Sequence, residues 1–266
     1  MNILYAILVL GVLGGLFGLA LAYAAKVFYV KVDEREERIT ENLPGANCGG
    51  CGFAGCAGCA AAIVAGRAPV ESCVPGGETV AKAVAEIMGV EAAVKEKEVA
   101  FVRCTGRSLG DKYEYSGVQD CLAATLAGDR NGSKLCASAC LGFGSCVAVC
   151  RFGAIRVENG AAKVDPSLCT GCGMCRDTCP KQLITMVPAG ASVTIPCASA
   201  EKGGIVRKAC ESGCIGCKLC EKACEHDAVH VVNDLASIDY SKCVGCGACA
   251  EKCPRKLIRV KAKKEE

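Results

Sequence analysis

Hydrophobic and polar positions divide the chain into four regions. Residues 3 to 25 carry no charge, and 23 uncharged residues are enough to cross a bilayer as one helix. A charged stretch, Lys31 to Glu41, predicts a solvated stalk. Residues 43 to 78 combine a glycine-rich loop with a short alanine-rich helix. From about residue 100, β-branched runs (AIRV, LITMV and AVHVV) predict the strands of small α+β modules.

The apolar N-terminal segment predicts an uncleaved single-pass anchor. It lacks the basic start of a signal peptide and exceeds the usual length of a signal core, although a cleaved signal is the alternative. Lys26 and Lys31 both follow the segment. This placement predicts that the rest of the chain faces the cytoplasm from the inner membrane.

The amino-acid composition indicates metal-binding thiols. Cysteine accounts for 25 of the 266 residues, and most cysteines recur at Cys-x2-Cys spacing, which suits metal ligation better than disulfide bonding. We therefore expect thiols in a reducing compartment. The 31 basic and 28 acidic residues leave a net charge of +3, and Trp is absent, so nothing indicates a nucleic-acid partner.

The second half of the chain is an internal duplication. Seven cysteines recur 74 residues later, and KVDPSLCTGCGMC matches SIDYSKCVGCGAC. Each copy contains two cysteine groups, so each predicts a small module with two metal centres. In the first copy the repeated positions are Cys140, Cys146, Cys150, Cys169, Cys172, Cys175 and Cys179.

Most of the repeated groups have the spacing Cys-x2-Cys-x2-Cys-x3-Cys. Three thiolates of such a loop bind one [4Fe-4S] cluster and the fourth binds its neighbour, as in bacterial ferredoxins. Structural zinc usually takes two ligand pairs with a longer gap, so it is disfavoured. The three regular ligand sets are Cys169, Cys172, Cys175 with Cys150; Cys214, Cys217, Cys220 with Cys253; and Cys243, Cys246, Cys249 with Cys224.

One group departs from this spacing. CLGFGSCVAVC aligns with CIGCKLCEKAC, but Phe143 stands where Cys217 supplies the second ligand. A cluster with three protein ligands and a three-iron cluster are both open. Cys136 lies four residues before Cys140, one turn away if that segment is helical, and we expect it to fill the vacant position. The predicted ligands are Cys136, Cys140, Cys146 and Cys179.

The glycine-rich loop contains a further set with the spacing Cys-x2-Cys-x4-Cys-x16-Cys. Glycine there lets backbone N–H groups approach the sulfurs of a cluster. Cys59, three residues after the third cysteine, is an alternative ligand. The predicted ligands are Cys48, Cys51, Cys56 and Cys73.

Five cysteines remain after these assignments. Cys136 recurs as Cys210, and Cys197 falls near the counterpart of Cys121, so four of the remaining cysteines form a candidate sixth cluster across the two modules. Buried free thiols are the alternative. The sequence thus predicts at least five [4Fe-4S] clusters. The candidate ligands of the sixth are Cys104, Cys121, Cys197 and Cys210.

Together these features resemble the B subunit of the Rnf complex. The resemblance runs nearly end to end, from the anchor helix through LPGANCGGCGFAGC and CVPGGE to the ferredoxin-type repeats. It implies a protein that accepts electrons from reduced ferredoxin and passes them to the other Rnf subunits (A, C, D, E and G). It further implies a complex that couples ferredoxin:NAD electron transfer to Na+ or H+ translocation, with flavin and NAD sites in other subunits. Two double-cluster modules resemble the extended, clostridial-type form.

Two other functions stay open: an electron-transfer subunit of a hydrogenase or carbon monoxide dehydrogenase complex, and a cysteine-rich zinc scaffold. An independent enzyme is disfavoured, because the sequence has no Gly-x-Gly-x-x-Gly after a strand, no P-loop and only two histidines. His226 is interpreted as a surface residue and His230 as structural. The predicted divisions are an anchor at 1–30, a stalk and four-cysteine module at 31–98, and ferredoxin-like modules at 99–190 and 191–266.

Overall fold

A single apolar helix precedes the folded modules. The computed structural model describes residues 2–28, 33–93, 96–127 and 132–261. Helix α1 (Asn2–Val27) contains the segment Ile7–Val27, which has 21 residues and a mean hydropathy of 2.3. None of this segment is buried against the rest of the protein, and Leu19 is 72% exposed. A helix so apolar and exposed is stable in a bilayer, so the expectation of one helix able to cross a membrane is confirmed for the described residues.

Some predicted positions lie outside the described ranges. Lys31, which begins the predicted stalk and supports the predicted orientation, is one of them. The last residues of the predicted anchor, 29–30, and of the second ferredoxin-like module, 262–266, are others.

A small helical module follows the anchor. Ile39, Ile63 and Val84, one from each of its helices, are fully or almost fully buried in a shared core. In this core the first helix of the module packs against its two later helices. Its elements are α2 (Glu34–Asn42), α3 (Gly55–Val64), a 3-10 turn (Val74–Gly76) and α4 (Gly77–Met88).

Two ferredoxin-like modules of short strands and helices make up the rest. The first contains β1 (Glu98–Val102), α5 (Cys121–Leu126), α6 (Ser145–Ala148), β2 (Ile155–Glu158), β3 (Ala161–Val164), α7 (Met174–Thr178) and β4 (Ile184–Pro188). The second contains β5 (Val193–Thr194), α8 (Gly203–Ala209), α9 (Leu219–Lys222), β6 (Val229–Val232), β7 (Leu235–Ile238), α10 (Ala248–Glu251) and β8 (Arg259–Val260). The β-branched runs AIRV, LITMV and AVHVV therefore supply strands β2, β4 and β6, as expected.

Antiparallel strand pairs close each module on itself. β1 pairs with β4 and β2 with β3 in the first, and β5 pairs with β8 and β6 with β7 in the second. Apolar side chains from these pairs, such as Ile155 and Val229, pack against the buried cysteines Cys146 and Cys220. The hydrophobic core of each module thus surrounds its cysteine groups.

Strand register reveals how the two copies differ. Ala100 of β1 pairs with Met186, and Val193 of β5 pairs with Val260. Because Met186 and Val260 are 74 residues apart, like the repeated cysteines, Ala100 and Val193 are structural counterparts. Those two residues are 93 positions apart, so the first module contains 19 residues more than the second after its first strand.

Candidate metal centres

Cysteines line four cavities in the two ferredoxin-like modules. Three of these cavities, of about 310, 370 and 290 Å³, are each lined by four cysteines that the motif spacing groups together. We name each cavity after its first motif cysteine. The Cys169 cavity is lined by Cys150, Cys169, Cys172 and Cys175; the Cys214 cavity by Cys214, Cys217, Cys220 and Cys253; and the Cys243 cavity by Cys224, Cys243, Cys246 and Cys249.

A residue in the left-handed region turns each cysteine loop into a short helix. Gly173 (φ 79°) precedes α7 and Gly247 (φ 81°) precedes α10. The equivalent residue before α9 is Lys218 (φ 60°), where a side chain carries a steric cost. This turn sets the third cysteine of a loop, such as Cys175, at the start of the helix and against the cavity.

Backbone N–H groups point at cysteine sulfurs beside these cavities. The Ala100 N–H donates to Cys169 Sγ at 3.3 Å, and the Ala228 N–H donates to Cys224 Sγ at 3.3 Å. Such donors influence the reduction potential of a cluster held by these sulfurs.

The fourth cavity, of about 430 Å³, differs from the sequence-based expectation. Cys140, Cys146 and Cys179 line it as expected, but the fourth cysteine on its wall is Cys121. The expectation assumed one helical turn between Cys136 and Cys140, whereas the chain there forms a turn and no helix. The structure does not bring Cys136 to this cavity, which we call the Cys121 cavity.

Cys136 instead faces cysteines at the boundary between the two modules. Burial, together with the nearby thiols of Cys210, Cys104 and Cys197, raises its pKa to about 11. Cys136 also packs in one buried cluster with Ala209, the neighbour of Cys210. The boundary set is therefore Cys104, Cys136, Cys197 and Cys210, with Cys136 in the place where the sequence comparison put Cys121.

Matching hydrogen bonds flank this boundary set. The Cys140 N–H donates to Cys104 Sγ at 3.4 Å, and the Cys214 N–H donates to Cys197 Sγ at 3.4 Å. Because Cys140 and Cys214 are repeat counterparts, Cys104 and Cys197 are counterparts too. Cys104 and Cys197 are 93 residues apart, like the first strands of the two modules. The 74-residue offset had instead suggested Cys197 as the approximate counterpart of Cys121.

The glycine-rich loop forms the N-terminal site, in which its four predicted cysteines meet beside α3. Burial raises the pKa of Cys73, and the thiols of Cys56, Cys51 and Cys48 raise it as well. Cys59 lies next to this set: it is 1% exposed, and burial followed by its neighbour Cys51 raises its pKa to about 12. The four predicted cysteines and one additional thiol thus share this end of the module.

Asn47 closes the loop of the N-terminal site. Its side-chain carbonyl accepts a hydrogen bond from the Cys56 N–H at 2.8 Å, and its amide donates to the Gly45 carbonyl at 3.2 Å. Asn47 has φ 45°, a conformation that asparagine tolerates better than most residues. The side chain therefore ties the start of the loop to the start of α3.

The N-terminal site contacts the Cys169 cavity directly. A Cβ on Gly50 would lie 2.6 Å from the Cys172 carbonyl oxygen and 2.9 Å from the Cys172 Cβ. A Cβ on Gly171 would lie 2.5 Å from the carbonyl oxygen of Glu98. Both glycines allow backbones to approach more closely than any other residue permits, so two cysteine loops pack against each other here.

The cysteine sets suit multi-iron clusters better than single metal ions. Across residues 2–28, 33–93, 96–127 and 132–261, no three Cys, His, Asp or Glu side chains are grouped to hold one ion. Four cysteine thiols line each of the four cavities, and four is the number of cysteine ligands that a [4Fe-4S] cluster takes. His226 is exposed at the rim of the Cys243 cavity, and His230 lies 3.9 Å from Asp227, so we assign neither a ligand role.

Family models agree with this chemistry. A model of an Fe-S cluster family (FeS) matches residues 43–75. A 4Fe-4S binding domain model (Fer4) matches residues 162–185 and 236–259, and a second 4Fe-4S binding domain model (Fer4_4) matches residues 211–227. The N-terminal site and both ferredoxin-like modules are thus similar to iron–sulfur domains.

Similar proteins cover nearly the whole chain. The B subunit of the Na(+)-translocating ferredoxin:NAD(+) oxidoreductase complex of Acetobacterium woodii is 48% identical over 90% of this chain and 72% of its own length. The B subunit of the ion-translocating oxidoreductase complex of Methanosarcina acetivorans is 44% identical over 96% of this chain and 97% of its own length. The B subunit of the proton-translocating ferredoxin:NAD(+) oxidoreductase complex of Clostridium ljungdahlii is 43% identical over 90% and 85%. The chain therefore belongs to the family of Rnf complex B subunits, the iron–sulfur electron-transfer subunits of these complexes.

Proposed function

We propose that the chain is a membrane-anchored electron relay with six [4Fe-4S] sites, which accepts electrons from reduced ferredoxin. It delivers them to the other Rnf subunits (A, C, D, E and G) of a complex that couples ferredoxin:NAD electron transfer to Na+ or H+ translocation. When bound, a [4Fe-4S] cluster supplies reversible one-electron transfer. Similarity to the named relatives supports the donor and the complex, and the cysteine sets support the cofactor count.

The proposal is supported by contacts between neighbouring cysteine sets, from which we infer a single row of sites. Gly50 packs on Cys172, which links the N-terminal site to the Cys169 cavity. The Cys169 and Cys121 cavities share one module, as do the Cys214 and Cys243 cavities. The boundary set joins the two modules, because Cys104 and Cys197 accept hydrogen bonds from Cys140 and Cys214. The N-terminal site and the Cys243 cavity are the two ends of this row.

The boundary set supports a sixth cluster. Two of its thiols come from each module, and all four are buried or half-buried. Burial raises the pKa of Cys104 and of Cys197, and in each case Cys210 is among the thiols that raise it further. We take these four thiols as the ligands of a cluster that bridges the gap between the two modules.

The ends of the row support a direction. The N-terminal site lies in the module that follows the anchor, so we infer that electrons leave there toward the membrane subunits. The Cys243 cavity lies at the far end, where Cys246 is exposed, and it is the proposed entry from ferredoxin. Because Lys26 lies in the last turn of α1, we place both modules on the cytoplasmic side.

The two alternative functions that the sequence left open are less well supported. Identity of 43–48% to three Rnf-type relatives over at least 90% of the chain favours this family over subunits of hydrogenase or carbon monoxide dehydrogenase complexes. The zinc scaffold lacks any grouping of three or more ligands around a single ion in the described residues.

The test is an electron-transfer measurement on the complex, purified without oxygen. Reduced ferredoxin should bleach the broad visible absorbance of the clusters in this protein, and NAD addition should restore it. The Cys246→Ala variant, changed at the proposed entry, should slow the bleaching. The proposal fails if ferredoxin leaves the absorbance unchanged while a chemical reductant bleaches it.

A further inference from the structure

The Cys121 cavity contains an irregular fourth ligand. We propose that Cys121 supplies the thiolate missing at Phe143, and that Asp120 and Ser145 hold it in place. The proposal rests on the proposed function, because it concerns a cluster in that cavity.

Geometry at Phe143 leaves the ligand position to another residue. The repeat counterpart of Phe143 is Cys217, which lines the Cys214 cavity. The Phe143 ring instead packs against Tyr115, with ring centroids 5.3 Å apart, and is not among the residues on the wall of the Cys121 cavity. Cys121 is the cysteine that lines this cavity beside Cys140, Cys146 and Cys179.

The extra residues of the first module explain where Cys121 comes from. Cys104 and Cys136 are separated by 31 residues, whereas their counterparts Cys197 and Cys210 are separated by 12. The 19-residue difference places both Tyr115 and Cys121 in the longer connection. One insertion therefore covers Phe143 and brings a cysteine to the cavity.

A short chain of hydrogen bonds fixes Cys121. The Asp120 carboxylate accepts from the Leu122 and Ala123 N–H groups, each at 2.9 Å, at the start of α5. Ser145 Oγ donates to the same carboxylate at 2.7 Å and accepts from the Cys121 N–H at 2.9 Å.

Ser145 links the insertion to the cysteine loop because Cys146 is its neighbour. The counterpart of Ser145 is Leu219, in the module that has its own Cys217 and needs no such link. The hydroxyl therefore occurs in the copy that lacks the regular ligand. A buried or half-buried link of this kind contributes to position more than to overall stability.

The decisive experiment compares variants of the full chain in the anaerobically purified complex by iron analysis and EPR spectroscopy. Cys121→Ala should lose one of the four irons at this site and show the EPR signal of an oxidised three-iron cluster. Adding Phe143→Cys to Cys121→Ala should restore the fourth iron, because it recreates the ligand position of Cys217. The same addition to Cys136→Ala should restore nothing, since Cys136 belongs to the boundary set.

Ser145→Ala tests the positioning role. A fraction of three-iron signal should appear although every cysteine is present, and Ser145→Thr should retain the wild-type spectrum. Ser167→Ala is the matched control. Ser167 Oγ donates a similar hydrogen bond to the Asp165 carboxylate at 2.6 Å, and neither residue lines the Cys121 cavity. A Ser145→Ala spectrum identical to wild type would refute the positioning role.

The outcomes separate this inference from the proposed function. If the wild-type chain has a full iron content and Cys121→Ala keeps it with an unchanged spectrum, Cys121 is not the ligand. If the wild type itself lacks four irons and Cys121→Ala changes nothing, the cavity holds no cluster and the proposed function fails there. If Cys121→Ala does not accumulate, the double variant decides: a four-iron site supports the inference and a three-iron site overturns it.

Discussion

Gly50→Ala should loosen the contact between the N-terminal site and the Cys169 cavity without removing a ligand. The new Cβ would lie 2.6 Å from the Cys172 carbonyl oxygen, against an ordinary contact of 3.4–4 Å. The two loops must separate by about 0.8 Å or more to accommodate it. The group it meets is backbone, which cannot rotate away as a side-chain end can.

The magnitude follows from the cost of overpacking. Inserting a methyl group into a close contact typically costs about 1–3 kcal/mol. If that cost falls on the docking of the two loops, the docked population decreases about 5-fold to 150-fold relative to the undocked one. Folding of each module should change little, because Gly50 lies in a loop and not in a module core.

The assay is hydrogen exchange with EPR measurement of magnetic coupling on the reduced chain. Amides of residues 49–52 and 170–174 should exchange faster in Gly50→Ala, and coupling between the two clusters should weaken. Gly58→Ala is the control, because its Cβ meets its neighbours at 3.7 Å or more within α3. Unchanged exchange and coupling in Gly50→Ala would refute the junction between the two sites.

Four further outcomes follow from individual residues. Lys218→Gly should stabilise the second ferredoxin-like module by about 1 kcal/mol in thermal unfolding, because glycine adopts φ 60° without steric cost, and no gain would contradict this. Asn47→Ala should cost about 1 kcal/mol and speed iron release to a chelator from the N-terminal site, because it unties the cysteine loop from α3. Asn42→Ala, which removes a bond within α2, should leave iron release unchanged. Cys59→Ala should keep all four irons at the N-terminal site, and loss of one would make Cys59 a ligand. In the metal-free chain burial raises the pKa of Cys146 to about 12, so the stability that its protonated thiol contributes should be fully present below pH 9 and be lost as the pH rises toward 12, as measured by denaturant unfolding.

Much of the architecture follows from local sequence patterns. The uncharged run before Lys26 and the first three cysteines of each regular loop encode their own geometry. Those three cysteines are close in sequence, and a residue in the left-handed region, glycine in two loops and Lys218 in the third, supplies the turn. The short β-branched runs also specify strands without distant information. These are the parts for which prediction and structure agree.

The fourth cysteine of the Cys121 cavity could not be predicted in this way. The exchange of Cys121 and Cys136 depends on an insertion whose presence changes the repeat offset from 74 to 93, and the offset is visible only through strand register. A signal was nevertheless present, because Phe143 and Ser145 both differ from their repeat counterparts Cys217 and Leu219. Long-range contacts decide such sites, and sequence spacing does not report them.

The most direct test of the relay is the iron and sulfide content of the full chain, isolated in its complex without oxygen, in wild type and in Cys136→Ala and Cys210→Ala variants. Six sites predict about 24 irons per chain. Either variant should lose iron from the same boundary set, because Cys136 of the first module and Cys210 of the second bind the same cluster. About 20 irons in the wild type, unchanged in both variants, would show that the boundary thiols hold no cluster and that the row is interrupted between the modules.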